Sequence, residues 1–240
     1  MIKDFLARLF GRKSDRNDGS ITGLNLPNVA DIPSAPAPTY TPPPPPDPDE
    51  ARQWVRDHIA RDVAGGFRTP DEIIEDVPEI FEGELPQGEL EALAREEVPK
   101  AVERFRAEQA DWPEVTDNDR LQQAITALAD KGIVFRENFS CCGTCGSAEI
   151  WDEMDDEREA GKPVRGYAFY HMQDTESAVE GGGLYLNYGS TEEGEGPALD
   201  VAREIESELK AQGLNTHWDG TWNQRIGFDI DWKRRISAAL

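Results

Sequence analysis

Apolar positions recur at helical spacing through residues 49–130 and at alternating spacing through much of residues 131–240. Trp54, Val55, His58, Ile59 and Val63 make a stripe over residues 49–64, which Gly65-Gly66 closes; His58 in that stripe reads as a packed histidine. Thr69-Pro70-Asp71-Glu72 opens a second helix with a capping box and a proline at its first position, and Ile73, Ile74, Val77 and Phe81 continue it. Pro78 should kink or shorten it. A third helix is expected over residues 87–111, kinked or broken at Pro99. A fourth runs over 117–130, from Thr116 to Gly132, burying Leu121, Ala124, Ile125 and Leu128.

Beyond Gly132 the period changes. Residues 133–139 read as a strand, 147–160 as a helix, 166–173 as a second strand and 184–188 as a third. Residues 198–213 read as a helix, and 214–232 as a hairpin about Asp219-Gly220. The fold class is therefore α+β: N-terminal helices beside a two-layer, mostly antiparallel sheet with helices on one face. One domain is expected over residues 49–240, with a helical part at 49–130 and a mixed part at 131–240.

The first 48 residues have a different composition. Ile2, Phe5, Leu6, Leu9 and Phe10 share a helical face in residues 1–16, where five cations against two acids give +3. A basic amphipathic helix stub of this kind suits weak peripheral contact with an anionic membrane through residues 1–13. Residues 17–48 are proline-rich, from Pro27 to Pro48, and read as a disordered, extended linker. The whole chain of 240 residues carries a net charge of −23. That balance argues against nucleic acid, which needs clustered Lys and Arg, and suits a basic protein partner. No apolar run is long enough for a transmembrane helix, and no secretory signal is evident. The expected location is cytoplasmic, with reduced thiols, at most peripheral to the inner face of the membrane.

All three cysteines fall in one turn, Cys141, Cys142 and Cys145, between a strand and a helix. Three chemistries fit. Cys142-Gly143-Thr144-Cys145 has the layout of a thiol redox pair, although the acidic helix that follows would raise a thiol pKa. Cys141, Cys142 and Cys145 with His171 or His217 would make a zinc set of three thiolates and one imidazole. The third is a tight turn in which small cysteines only pack. A second candidate region holds His171, Gln173, Asp174 and Glu176, facing Gly181, Gly182 and Gly183, which together could floor a binding pocket. Cys142 as nucleophile, His171 as base and Asp174 as orienting acid would form a catalytic set if the fold brought them together.

The stretches Asn138–Gly146 (NFSCCGTCG), Gly166–Glu176, Gly181–Gly189 and Trp218-Asp219-Gly220 with Arg225-Ile226 resemble a family of uncharacterised, chiefly actinobacterial proteins. Gly66-Phe67-Arg68-Thr69-Pro70 fits its N-terminal part, and the resemblance spans about residues 50–236. It implies a bacterial origin and one domain joining both halves, and it carries over no activity. The leading expectation is thus a non-catalytic binding or regulatory domain, of the kind found in immunity proteins. The alternatives are a thiol-dependent hydrolase or transferase using Cys142, and a structural zinc domain.

Overall fold

The computed structural model describes residues 47–236, and the expectations for residues 1–46 lie outside them. Four helices come first: α1 (Pro48–Gly65), α2 (Pro70–Ile80), α3 (Gln87–Gln109) and α4 (Asp117–Asp130). The mixed half continues with β1 (Ile133–Arg136), α5 (Gly143–Glu159), β2 (Gly166–Phe169), α6 (Met172–Val179), β3 (Leu184–Ser190), α7 (Glu195–Ala211), β4 (Thr216–His217) and β5 (Ile226–Phe228). Among the described residues, no helix is long and apolar enough to cross a membrane.

The helix starts are encoded in side chains. Thr69 and Glu72 form a reciprocal capping box on α2, and Thr116 and Asp119 do the same on α4. Gly66 ends α1 at φ 74°, a left-handed conformation that a side chain disfavours. Pro99 does not break α3, contrary to one sequence expectation. Both Pro99 and Arg95, whose carbonyl loses its partner, lie on the exposed face, where water can satisfy the freed group. Val98, Ala101 and Val102 hold the buried face on either side.

The sheet order is β1-β2-β3-β5-β4. β1 and β2 are parallel, joined across α5, and every other pair is antiparallel. Ala168, Leu184, Leu186, Tyr188, Ile226 and Phe228 point into one core with α4 and α7, where Leu121, Leu128, Val201 and Ile205 meet them. A second core joins α1, α2 and α3 through Val55, Ile59, Ile73, Val77, Leu90 and Val98. On the opposite face of the sheet, α5 covers only β1 and β2. There Trp151 stacks edge-on against Tyr167, and Phe169 lies under Gly146.

Three sequence expectations need correction. The helix after β1 starts at Gly143 rather than Ser147, so the cysteine turn is the helix start itself. The second strand stops at Phe169, and the polar stretch after it is α6, because His171 caps a helix instead of continuing the strand. The last hairpin is not closed by a two-residue turn. β4 and β5 flank a longer loop, in which Asp219 accepts from the Thr221 N–H at 2.9 Å and Gln224 Oε1 accepts from the Asp219 N–H at 2.7 Å. These side-chain bonds favour a wide loop over a tight turn.

The segment after β5 ties the two halves together. Trp232 Nε1 donates to the Ala64 carbonyl at 2.9 Å, the Lys233 N–H donates to Asn118 Oδ1 at 2.7 Å, and Arg234 pairs with Glu137 at 3.0 Å. The Arg234 guanidinium also lies 4.0 Å from the Phe67 ring centre. Phe67, Tyr170 and Trp232 meet at the seam with ring centres 6.2–6.4 Å apart.

Sheet and α7 approach closely at Gly166. A methyl group there would lie 2.7 Å from Val201 and 2.9 Å from the Gly189 carbonyl oxygen. Gly166→Ala should therefore destabilise the fold by about 1–3 kcal/mol, as overpacking in a dense core does. Urea unfolding monitored by tryptophan fluorescence would measure it, and an unchanged midpoint would mean that the α7 contact relaxes freely.

Candidate functional site: the cysteine turn and its neighbours

β1 delivers the chain to the cysteines through an unusual backbone. Asn138 and Ser140 adopt φ 50° and 61°, both left-handed and neither glycine. Such residues cost energy and persist where surrounding contacts impose them. Those contacts are visible: the Phe139 N–H donates to the Tyr170 carbonyl at 2.8 Å, and the Met172 N–H donates to the Ser140 carbonyl at 3.2 Å.

Cys142 is the N-cap of α5, with extended backbone, and its carbonyl accepts the first helical bond from Gly146 N–H at 2.9 Å. Gly146 must be glycine, because a Cβ would fall 2.5 Å from the buried Phe169 ring. Ile150 and Met154, both fully buried, continue the contact, and Arg136 pins the helix through Glu153 at 2.7 Å and Glu157 at 2.8 Å. This anchoring fixes the first turn of α5. The sulfurs of Cys141, Cys142 and Cys145 consequently lie within 4.8 Å of one another, and all three are free thiols. Cys141 is exposed and the other two are half-buried.

The thiols are electrostatically unequal. The backbone N–H of Cys145, then its thiol and the Thr144 N–H, hold the Cys142 thiol below its ordinary value. Cys145 moves in the opposite sense: hydrogen bonding to Cys141, then Cys142, pushes its thiol up to about 11. The cluster therefore favours ionisation at Cys142 over Cys145. Three sulfurs in this arrangement could hold a metal ion.

His171 sits beside the turn. Its ring approaches Gly143 so closely that a Cβ there would lie 3.6 Å from Cδ2. Among the described residues, the group of side chains close enough to hold one ion consists of the three cysteines, and His171 does not join it. Nor does His217, which pairs with Asp229 at 2.8 Å on the exposed sheet edge. His171 is the N-cap of α6. Its Nδ1 accepts from the Asp174 N–H at 3.3 Å, and Asp174 Oδ2 accepts from the His171 N–H at 3.2 Å. Nε2 is 3.1 Å from Asp174 Oδ2 and 3.3 Å from Arg225 Nη1, while Arg225 donates to Asp174 at 3.0 Å. Burial, then the Arg225 charge, lowers the His171 pKa against the opposing pull of Asp174.

The structure thus brings His171 and Asp174 together and adds Arg225. Both imidazole nitrogens have partners in Asp174 and Arg225. Gln173, Glu176 and Gly182 line a separate shallow depression with Arg61. Gly181 and Gly183 lie outside it at φ 85° and 77°; they end α6 and turn the chain into β3. Gly182 packs on Ser177, where a Cβ would fall 2.3 Å from Oγ.

An open groove of about 540 Å³ runs beside the cysteine turn, lined by Gly143, Thr144, Ser147, His171, Asn187 and Arg225. Asn187 brings a buried Nδ2 with no hydrogen-bond partner. The sequence does not mark Ser147, Asn187 or Arg225 as site residues. Asn187 comes from β3, and Arg225 lies just before β5, so strand pairing alone puts them opposite α5. The only local signal was the alternation that sets Arg225 on the face opposite Ile226.

Fold and site together define an α+β domain with a three-cysteine helix start. The chain belongs to the family described as Domain of unknown function (DUF6891), whose profile matches residues 48–236. Comparison with curated proteins and with solved structures gave no match. No specific activity follows from family membership.

The capping histidine makes a pH prediction. Its folded pKa lies below the ordinary value near 6.5, so the unfolded chain takes up the proton first and stability falls as pH drops below about 6.5. His58, also lowered chiefly by burial, acts in the same direction. Urea unfolding at pH 7.5 and 5.5 should show the loss. His171→Asn, which keeps an acceptor for the Asp174 N–H, should shrink it, and an equal loss in both proteins would assign it elsewhere.

Proposed function

We propose that this is a non-catalytic binding domain whose cysteine turn holds one soft divalent ion, zinc in the first instance. The supporting observation is the mutual approach of the Cys141, Cys142 and Cys145 sulfurs within 4.8 Å. Zinc–sulfur bonds of about 2.3 Å in a tetrahedron place sulfurs roughly 3.8 Å apart, so a small inward adjustment suffices. The downward shift of the Cys142 thiol eases its ionisation, and metal binding displaces the protons of the set. The positive end of α5 offsets the accumulated negative charge. With three protein ligands, the fourth position is left to water or an exogenous donor.

A thiol enzyme built on Cys142, His171 and Asp174 is not favoured, since Asp174 and Arg225 occupy the imidazole. A redox pair retains one supporting observation, the opposite displacement of the Cys142 and Cys145 thiols. For the domain as a whole, the net charge of −23 favours a basic protein partner, and reduced thiols favour the cytoplasm.

Protein purified without an affinity metal and dialysed with zinc should retain about one equivalent per chain, as a single three-thiolate site requires. Cobalt should give a thiolate charge-transfer band, and apparent affinity should rise with pH as protons leave the thiols. Cys142→Ser should abolish both signals. Free thiols that titrate fully in the presence of zinc would refute the metal reading, and rapid formation of a Cys142–Cys145 disulfide would favour the redox pair instead.

A further inference from the structure

The face of the sheet opposite α4 and α7 is covered by α5 over β1 and β2 alone, and large aromatic side chains stand open beside the remainder. Trp222 is 46% exposed, Trp151 44% and Tyr185 43%. These rings are held in place. Tyr167 lies on Gly189, where a Cβ would fall 2.6 Å from its ring, and the Trp151 ring meets it edge-on at 6.1 Å. Trp222 stands edge-on to Tyr188 at 5.8 Å. The loop that carries Trp222 is pinned as well. Its Thr221 and Gln224 carbonyls accept from Tyr188 Oη at 3.1 and 3.2 Å, and both accept from Trp218 Nε1 at 3.2 Å. A fixed but exposed tryptophan contributes little to folding and offers preorganised contact area to a ligand.

A cleft of about 270 Å³ opens between these rings, lined by Ser147, Tyr167, Trp222, Asn223, Gln224 and Arg225 among others. It shares Ser147 and Arg225 with the groove of about 540 Å³ that runs on to Thr144 and the cysteine turn. No Asp or Glu lines either hollow, in a chain where 48 of 240 residues are acidic. A cationic ligand would therefore find no counter-charge there. The one permanent cation, Arg225, is paired with the buried Asp174 at 3.0 Å, which leaves little net charge for an anion. What the lining does offer is neutral and uncommitted. Among the described residues, none hydrogen-bonds to the hydroxyls of Thr144 and Ser147 or to the Asn223 amide, and Gln224 is engaged only through Oε1. Thr144, Ser147, Trp222, Asn223 and Gln224 are all exposed, so a ligand reaches them from solvent.

Aromatic rings flanked by neutral hydroxyl and amide groups match a pyranose, which has an apolar C–H face and a rim of hydroxyls that both donate and accept. We propose that this cleft binds a neutral saccharide, one pyranose ring seated against Trp222 and Tyr167 with its hydroxyls bonded to Ser147, Asn223 and Gln224. A volume of about 270 Å³ is small for a ligand site, so the cleft takes one ring. A second ring extends along the groove past Arg225 toward Thr144. Trp151, one turn beyond Ser147 on α5, prolongs the aromatic wall through its contact with Tyr167. The site takes no cysteine sulfur and stands apart from the metal reading.

The test is titration of the full chain with cellobiose, maltose, lactose and N,N′-diacetylchitobiose, followed by calorimetry and tryptophan fluorescence. At least one disaccharide should saturate a single site with a millimolar or tighter dissociation constant. Sorbitol (a polyol without a ring face), inorganic phosphate and tetramethylammonium should not bind. Trp222→Ala should weaken binding at least about tenfold and Trp222→Phe by no more than about threefold, since the ring face makes the contact. Asn223→Ala should weaken it about threefold through a lost hydrogen bond. Both positions are exposed in a loop, so the variants should fold. Absence of saturable binding by all four disaccharides up to about 50 mM would overturn the proposal. So would phosphate or tetramethylammonium binding as tightly as the sugar, or a folded Trp222→Ala protein with unchanged affinity.

Discussion

The pairing of residues 138–140 with residues 170–172 is the constraint on which the rest depends. β1 and β2 end as regular strands at Arg136 and Phe169, but their backbones stay hydrogen-bonded beyond those ends. The continuation is possible only because Asn138 and Ser140 turn left-handed. Between them, Phe139 packs its ring on Phe169, with centres 5.7 Å apart. Asn138 presents its side chain to Thr175, and Ser140 hands the chain to the cysteines. Without this distorted continuation, α5 and α6 would not start where they do.

An acidic chain must also decide where its few cations go. With 25 Lys and Arg against 48 Asp and Glu, cations are the scarce partner. Several sit where separate elements meet. Arg136 joins β1 to α5, Arg165 reaches Glu204 on α7, and Arg234 and Arg235 join the C-terminal segment to Glu137 and Asp119. Exposed pairs of this kind contribute little individually, so the specificity lies in placement more than in energy. Arg225 is the exception in setting: its partner Asp174 is almost fully buried, which makes the pair sensitive to loss of either member.

The elements with local instructions were legible in the sequence. α1, α2 and α4 carry their stops or caps in Gly66, Thr69-Glu72 and Thr116-Asp119, and their apolar stripes largely match the buried faces, Trp54 of the α1 stripe being exposed instead. α6 was not legible. Its cap is a histidine, a residue seldom read as a helix start, and its buried face reduces to Asp174, Thr175 and Ala178, too polar for a periodic signal. The cysteine cluster was legible because its members lie within five residues of one another. The groove was not, because Asn187 and Arg225 reach it through strand pairing that no local spacing encodes. A cavity of about 580 Å³ lined by residues of α1, α2 and α6 was hidden for the same reason: α6 lies far along the chain from α1 and α2 and meets them only in the folded domain.

α6 belongs to both regions. Its capping histidine stands against Gly143 at the cysteine turn, and Thr175, Glu176 and Val179 form one wall of the cavity. A helix of eight residues has little stability of its own. Its position is therefore set by tertiary contacts: Ala178 in the sheet core, Thr175 on Asn138, and Asp174 held by Arg225. Each contact comes from a different part of the chain, and each is already required by the sheet or by the left-handed turn. The groove and the cavity thus share a wall whose placement neither of them determines. That arrangement lets the two regions vary in chemistry while the scaffold between them stays fixed.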